Sequence, residues 1–216
     1  MFTPLIIAAV VGYLLGSLPF GWLVARANGV NIFEVGSKSS GSTNVRRVLG
    51  NGPGNLVLIL DTAKGAAAAL APYGWRLVSG GPGGGFGPPE YSYIALASVV
   101  GAILGHSFSC FTKFRGGKGV ATGAGGFIVL FPPGALVAVT VWGAAVALTR
   151  YVSLGSMLAA VSLPASAFFL HRSPLLVGAS VAIAAFVVIR HRANISRLLA
   201  GTERKLGRKK SIEPNS

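Results

Sequence analysis

Residues 4–25 read PLIIAAVVGYLLGSLPFGWLVA, 22 positions without a formal charge. About 20 apolar residues, rising about 1.5 Å each in a helix, cross the hydrocarbon core of a bilayer. The stretch therefore predicts a membrane-spanning helix. No basic residue precedes it, its apolar part is long, and it ends at Arg26. It reads as a retained span with its N-terminus outside, not as a cleaved leader. Residues 91–112, YSYIALASVVGAILGHSFSCFT, repeat the pattern over another 22 uncharged positions.

The whole chain agrees with its two apolar runs. Of 216 residues, 52% are hydrophobic and only 11% are charged, against about a quarter charged in a soluble domain. Spans are predicted near 4–25, 52–75, 91–112, 119–131, 133–149, 151–170 and 173–190. The fold class is thus an all-α polytopic membrane protein with about seven transmembrane helices, some short. It forms one integral membrane domain, 1–216, ending in a basic cytosolic tail, 199–216. The stretch 119–149 carries no charge and is broken by Pro132-Pro133-Gly134. One straight helix there would be about 46 Å long, well beyond the hydrocarbon core. Adjacent prolines break a helix, so two short spans fit better, with a re-entrant pair as the alternative.

Net charge is +14, from 19 Lys and Arg against five acids. In a soluble protein that balance suggests nucleic acid. Here the cations lie between apolar runs, where orientation and anionic ligands explain them and no nucleic-acid partner is expected. Seven spans with the N-terminus outside put 16 of the 19 basic residues on the cytosolic side. Six spans would place the basic tail outside, against the positive-inside tendency. The single cysteine, Cys110, excludes an internal disulfide and a tetrathiolate metal site. The glycine-rich stretch 79–90 has no basic residue and reads as a flexible linker.

Three inner segments combine glycine, hydroxyl and cationic residues. The first is EVGSKSSGSTNVRRVLG, residues 34–50. Its small residues, from Gly36 and Ser37 through Gly41, let backbone N–H groups turn toward an anion, and Arg46 and Arg47 follow on a short helix. It reads equally as a polar loop with orientation-setting arginines. The second is KFRGGKGVATGAGG, residues 113–126, where Gly116-Gly117-Lys118-Gly119 opens a helix near Val120. A helix start with free N–H groups suits an anion; the bland alternative is a tight turn. It is no Walker A loop, because Thr112 stands in the first glycine position and Gly119 follows Lys118. The third is RHRANISRLLAGTERKLGR, residues 190–208. His191 and Asn194, three apart, share a helix face. A cationic tail on lipid headgroups explains its Lys and Arg but not His191, Asn194 or Glu203.

Within the apolar spans, Asp61 and Lys64 stand at i and i+3. An intramembrane pair of this kind is a functional candidate, or else a self-neutralising packing device. His106 reads as a hydrogen-bonded structural residue. The five acids are scattered, so no paired carboxylates suit Mg²⁺ and no His-Cys cluster suits zinc. No metal and no cofactor are expected. No His precedes an Asp by five positions with four between, and no Gly-x-Ser-x-Gly elbow occurs.

Taken together, GSLPFGWLVAR, EVGS with GSTNVRRVLG, LDTAKG, GHSFSCFTKFRGGKGVAT and RHRANISRLLAGTE resemble the bacterial acyl-phosphate:glycerol-3-phosphate acyltransferases over nearly the whole chain. Lys38-Ser39-Ser40 departs from that pattern, where smaller or amide residues would be expected. The resemblance implies an enzyme of the bacterial plasma (inner) membrane with its active site and C-terminus cytosolic. It would move a fatty acyl chain from acyl phosphate to the sn-1 hydroxyl of glycerol 3-phosphate. The products would be 1-acylglycerol 3-phosphate, the first lipid of phospholipid synthesis, and phosphate. Family-like catalytic roles fall on Ser37, Arg47, His191 and Asn194. Phosphate-binding roles fall on Ser37, Gly41, Asn44, Arg47, Gly116, Gly117, Lys118 and Gly119. Asp61, Lys64, His106, Ser153, Ser156 and Glu203 would support them. The protein would act as a monomer among membrane lipids. The alternative from charge and span count is a membrane transporter of small phosphorylated anions, and a lipid-binding structural protein is a third reading.

Overall fold

The computed structural model describes residues 2–78 and 89–207. Most of the linker at 79–90, and the tail beyond 207, lie outside the described residues. All seven apolar segments are helical, and no strand occurs among the described residues. By length and composition, five reach bilayer-crossing size: Thr3–Ala27, Asn51–Trp75, Ser92–Thr112, Pro132–Thr149 and Val152–Phe169. Pro174–Arg190 with Arg192–Leu199 makes a sixth if the pair, bent by 58°, is one span. The remaining apolar helix, Val120–Leu130, has 11 residues. At about 1.5 Å per residue it spans roughly half the hydrocarbon thickness. As the adjacent prolines require, a new helix starts at Pro132.

The described chain groups into two compact units, residues 1–135 and 136–216. In the first, α1 (Phe2–Ser17) and α2 (Phe20–Ala27) are the two arms of the first span, interrupted at Leu18-Pro19. After them come α3 (Ser42–Leu49), α4 (Asn51–Val78), α5 (Pro89–Ser107) and α6 (Val120–Leu130). Helix α1 packs on α5 through small residues. A Cβ at Gly12 or Gly16 would overlap the backbone of Ser98 or Ala102, and one at Gly101 or Gly105 that of Ala9 or Tyr13. Lipid tails give apolar helices little reason to associate, so close backbone approach between small residues supplies the contact. The same device joins α4 to α6, at Gly65 against Thr122 and Gly125 against Thr62.

The interruption at Pro19 shapes the interior. A helix that breaks inside a bilayer leaves the carbonyls at its end in need of donors. The Ser109 hydroxyl donates to the Ser17 carbonyl at 2.6 Å, and the Lys64 ammonium donates to the Leu18 carbonyl at 2.8 Å. A side chain of α4 and one from just past α5 thus stitch the first span at its break.

The second unit contains most of α7 (Pro132–Thr149), with α8 (Val152–Phe169), α9 (Pro174–Arg190) and α10 (Arg192–Leu199). Helices α8 and α9 pack together. They border an apolar groove of about 440 Å³ lined by Val161, Pro164, Val181, Ala184, Val188 and Ile189. The chain turns at His191, the corner between α9 and α10.

Candidate active site

The first motif is a loop wrapped around one amide. Asn44, early in α3, is 2% exposed. Its Oδ1 accepts the Ser37 N–H at 2.8 Å, and its Nδ2 donates to the carbonyls of Ser39, Val35 and Ile32 at 2.9, 3.2 and 3.4 Å. Asn44 was expected to touch phosphate; its side chain instead faces the loop's own backbone and fixes the loop's curvature. Gly36 has φ +61°, and a Cβ there would overlap the Asn44 amide oxygen. Glycine is therefore required at this position, both for its positive φ and for space. The curl leaves Ser37 exposed. Gly41 caps α3 with φ −69° and ψ 152° and accepts the Asn44 and Val45 N–H groups. Arg46 donates to Asn55 Oδ1 at 2.5 Å, which leans α3 on the start of α4, while Arg47 is half-buried on the same helix.

The second motif begins where α5 ends. Ser109 starts a short 3-10 turn, Cys110–Thr112, and Lys113 and Phe114 both take positive φ, at 54° and 57°. The Thr112 hydroxyl donates to the Arg115 carbonyl. The chain then doubles back on α5: the Gly117 N–H donates to the His106 carbonyl at 3.1 Å. A Cβ at Gly116 would overlap that carbonyl, and one at Gly117 the His106 ring nitrogen Nε2. Gly119, at φ +80°, caps α6, so the helix starts at Val120 as predicted. Lys118 is half-buried directly before that cap.

One brace joins these loops, and a buried cluster backs the second. On the outside, Arg115 donates to the Phe33 carbonyl at 2.9 Å and lies over the Phe33 ring, 4.5 Å from its centroid. On the inside, Asp61 Oδ1 lies 2.8 Å from Lys64 Nζ and 3.5 Å from His106 Nδ1, with all three side chains nearly sealed. Lys64 also sits over the Phe20 ring. A cleft of about 10 Å³, room for roughly one water, separates Asp61, Lys64 and His106 from Ser17, Ser40 and Arg115. The pair at i and i+3 was legible in the sequence; its third member, His106, and the Arg115 brace were not.

In the second unit the third motif closes on Glu203. Glu203 Oε1 accepts from Ser153 at 2.9 Å and from Asn194 at 2.7 Å, and Oε2 accepts from Arg197 Nε at 2.7 Å. Gly201, at φ +68°, reverses the chain after α10 and makes that return possible. Burial raises the Glu203 carboxyl, but the donors from Arg197, Asn194 and Ser153 outweigh it and hold the group below its ordinary value. His191 is 2% exposed, and its Nδ1 lies 2.7 Å from the Val187 carbonyl. Ser156 spends its hydroxyl on the Val152 carbonyl within α8, at 2.8 Å.

Comparison with known proteins gives one family. The glycerol-3-phosphate acyltransferase family matches residues 6–201. A glycerol-3-phosphate acyltransferase of Thermosynechococcus vestitus is 44% identical over 205 residues, covering 92% of this chain and 93% of that protein. One of Geobacter sulfurreducens is 42% identical, covering 95% and 98%. Among solved structures, the glycerol 3-phosphate form of PlsY (YgiH), an integral membrane glycerol 3-phosphate acyltransferase, is 36% identical with a TM-score of 0.83. It covers 94% of this chain and 96% of its own. The lysophosphatidic acid form of that protein gives 0.77. With its apolar helices and its two cation-bearing glycine loops, the chain is an integral membrane protein that belongs to the glycerol-3-phosphate acyltransferase family.

Proposed function

We propose that the protein transfers a fatty acyl chain from an acyl phosphate to the sn-1 hydroxyl of glycerol 3-phosphate. The hydroxyl oxygen attacks the acyl carbonyl and forms the ester. The bond from that carbonyl to the phosphate oxygen breaks, and inorganic phosphate leaves carrying the hydroxyl proton. The donor is already activated, so no covalent enzyme intermediate is needed. The observation that carries the reading is the pairing of two glycine loops, one bearing Ser37 and Arg47 and the other Lys118, fastened to each other by Arg115 on Phe33. Two phosphate-bearing substrates bring roughly four negative charges together, and fixed cations and backbone donors offset that repulsion where it peaks.

Ser37 and Arg47 act on the reacting groups, and Lys118 with Gly116, Gly117 and Gly119 holds a phosphate. Asn44 and Gly36 shape the first loop. The roles of His191 and Asn194 come from the family resemblance; Glu203 fixes Asn194. The basic inner segments put these loops on the cytosolic side of a bacterial plasma membrane, and the protein works as a monomer. Solved PlsY forms with glycerol 3-phosphate and with lysophosphatidic acid match the acceptor and the product of this scheme.

The test is donor choice. Purified protein with glycerol 3-phosphate is given acyl phosphate or acyl-CoA. Lysophosphatidate with equimolar phosphate from acyl phosphate supports the scheme. Turnover from acyl-CoA alone rejects the donor.

A further inference from the structure

Asp61, Lys64 and His106 are all buried in the first unit, 1%, 5% and 6% exposed. An ion pair sealed in this way costs desolvation, and packed apolar residues in its place are often as stable or more so. Its retention needs a reason beyond stability. The reason on the page is the surface that His106 presents to residues 116–117. Its carbonyl accepts the Gly117 N–H, and its ring nitrogen Nε2 occupies the space that a Gly117 Cβ would need. The other face of the ring is held by Asp61, which in turn holds Lys64, and Lys64 is anchored on the Leu18 carbonyl.

We propose that His106 is a positioning residue for the phosphate loop 116–119: seated by Asp61 and Lys64, its ring is the floor against which Gly117 lies. The proposal deepens the functional reading and rests on residues 116–119 binding a phosphate. His106 touches no substrate. It sets the height at which Gly117 and Lys118 meet the phosphate, and small misplacements at such a site lose one to two orders of magnitude. Glycine at 117 is then required by the floor beneath it, and enlarging the one is compensated by shrinking the other.

The experiment is a double-mutant cycle on the full chain in detergent or nanodiscs, with Gly117→Ala, His106→Ala and the two combined. Stabilisation against heat by glycerol 3-phosphate and by inorganic phosphate reads binding without any acyl donor; steady-state kinetics read KM for glycerol 3-phosphate and kcat. Each single variant should weaken binding and raise KM about tenfold or more, with a smaller change in kcat. The combined variant should recover most of the loss caused by Gly117→Ala, because the vacated ring space accepts the new Cβ. His106→Gln, which keeps a donor for Asp61, should bind closer to wild type than His106→Ala, and it stands in if the alanine variant does not fold. Additive losses, or Gly117→Ala binding as wild type does, overturn the positioning role. A wild type stabilised by neither glycerol 3-phosphate nor phosphate overturns the phosphate-loop reading itself.

Discussion

Asn44 and Glu203 show how much of this protein's chemistry depends on single side chains that serve the backbone. Asn44 makes four hydrogen bonds to its own loop. Asn44→Ala should cost about 1–3 kcal/mol through the buried groups it leaves unpaired, and should abolish most turnover because Ser37 loses its presentation. A melting curve beside an activity assay separates the two losses. Glu203 is the complementary case. Its carboxyl is held below its ordinary value, so its stabilising contribution is complete above that ordinary value. It is lost as pH falls through the lower value of the folded state. Glu203→Gln should lower the melting temperature at neutral pH and flatten the acid limb of stability, as melts from pH 7 down to about pH 3 would show; an unchanged acid limb would contradict the assignment. Ser37, Arg47 and Lys118 were singled out by the family resemblance, since their residue types beside glycine fit an anion site and a polar turn equally well. Asn44's inward role was not, because an amide after a serine-rich loop fits a ligand and a loop clamp equally well.

The helices are where the sequence was most readable, since uncharged length alone predicts a span. The start of α6 at Val120 and the new helix at Pro132 both follow from backbone chemistry that proline and glycine impose locally. The break at Leu18-Pro19 was hidden within an unbroken apolar run, although its proline was in view. Its consequence, a carbonyl satisfied by Lys64 from α4, needs three dimensions to see. Asp61→Leu should therefore destabilise by about 3–5 kcal/mol, leaving Lys64 buried without its counter-charge. Adding Lys64→Leu should restore part of that loss but not all, because the Leu18 carbonyl then keeps only the Phe20 N–H. Thermal melts of the two variants decide this, and equal stability of the double variant and wild type would remove the stitching role. Between α1 and α5, Gly105→Leu should prevent close approach and cost roughly 1–3 kcal/mol by overpacking, again visible by melting.

Across the whole molecule, a net charge of +14 suits chemistry done by positioning anions and cancelling their charge. The family match covers residues 6–201, the two loops of the first unit are joined at Phe33–Arg115, and His106, beside Asp61 and Lys64, backs the second. In the proposed reaction these loops work by offsetting the charge of two phosphates. Steady-state kinetics with acyl phosphate and glycerol 3-phosphate both varied, on wild type, Arg47→Ala and Lys118→Ala, test it most directly. Lys118→Ala should raise KM for a phosphate-bearing substrate, and Arg47→Ala should lower kcat by about a hundredfold, the usual cost of losing one charge-stabilising donor. If both variants keep the wild-type KM and kcat for both substrates, the loops do not bind the phosphates and the account is wrong.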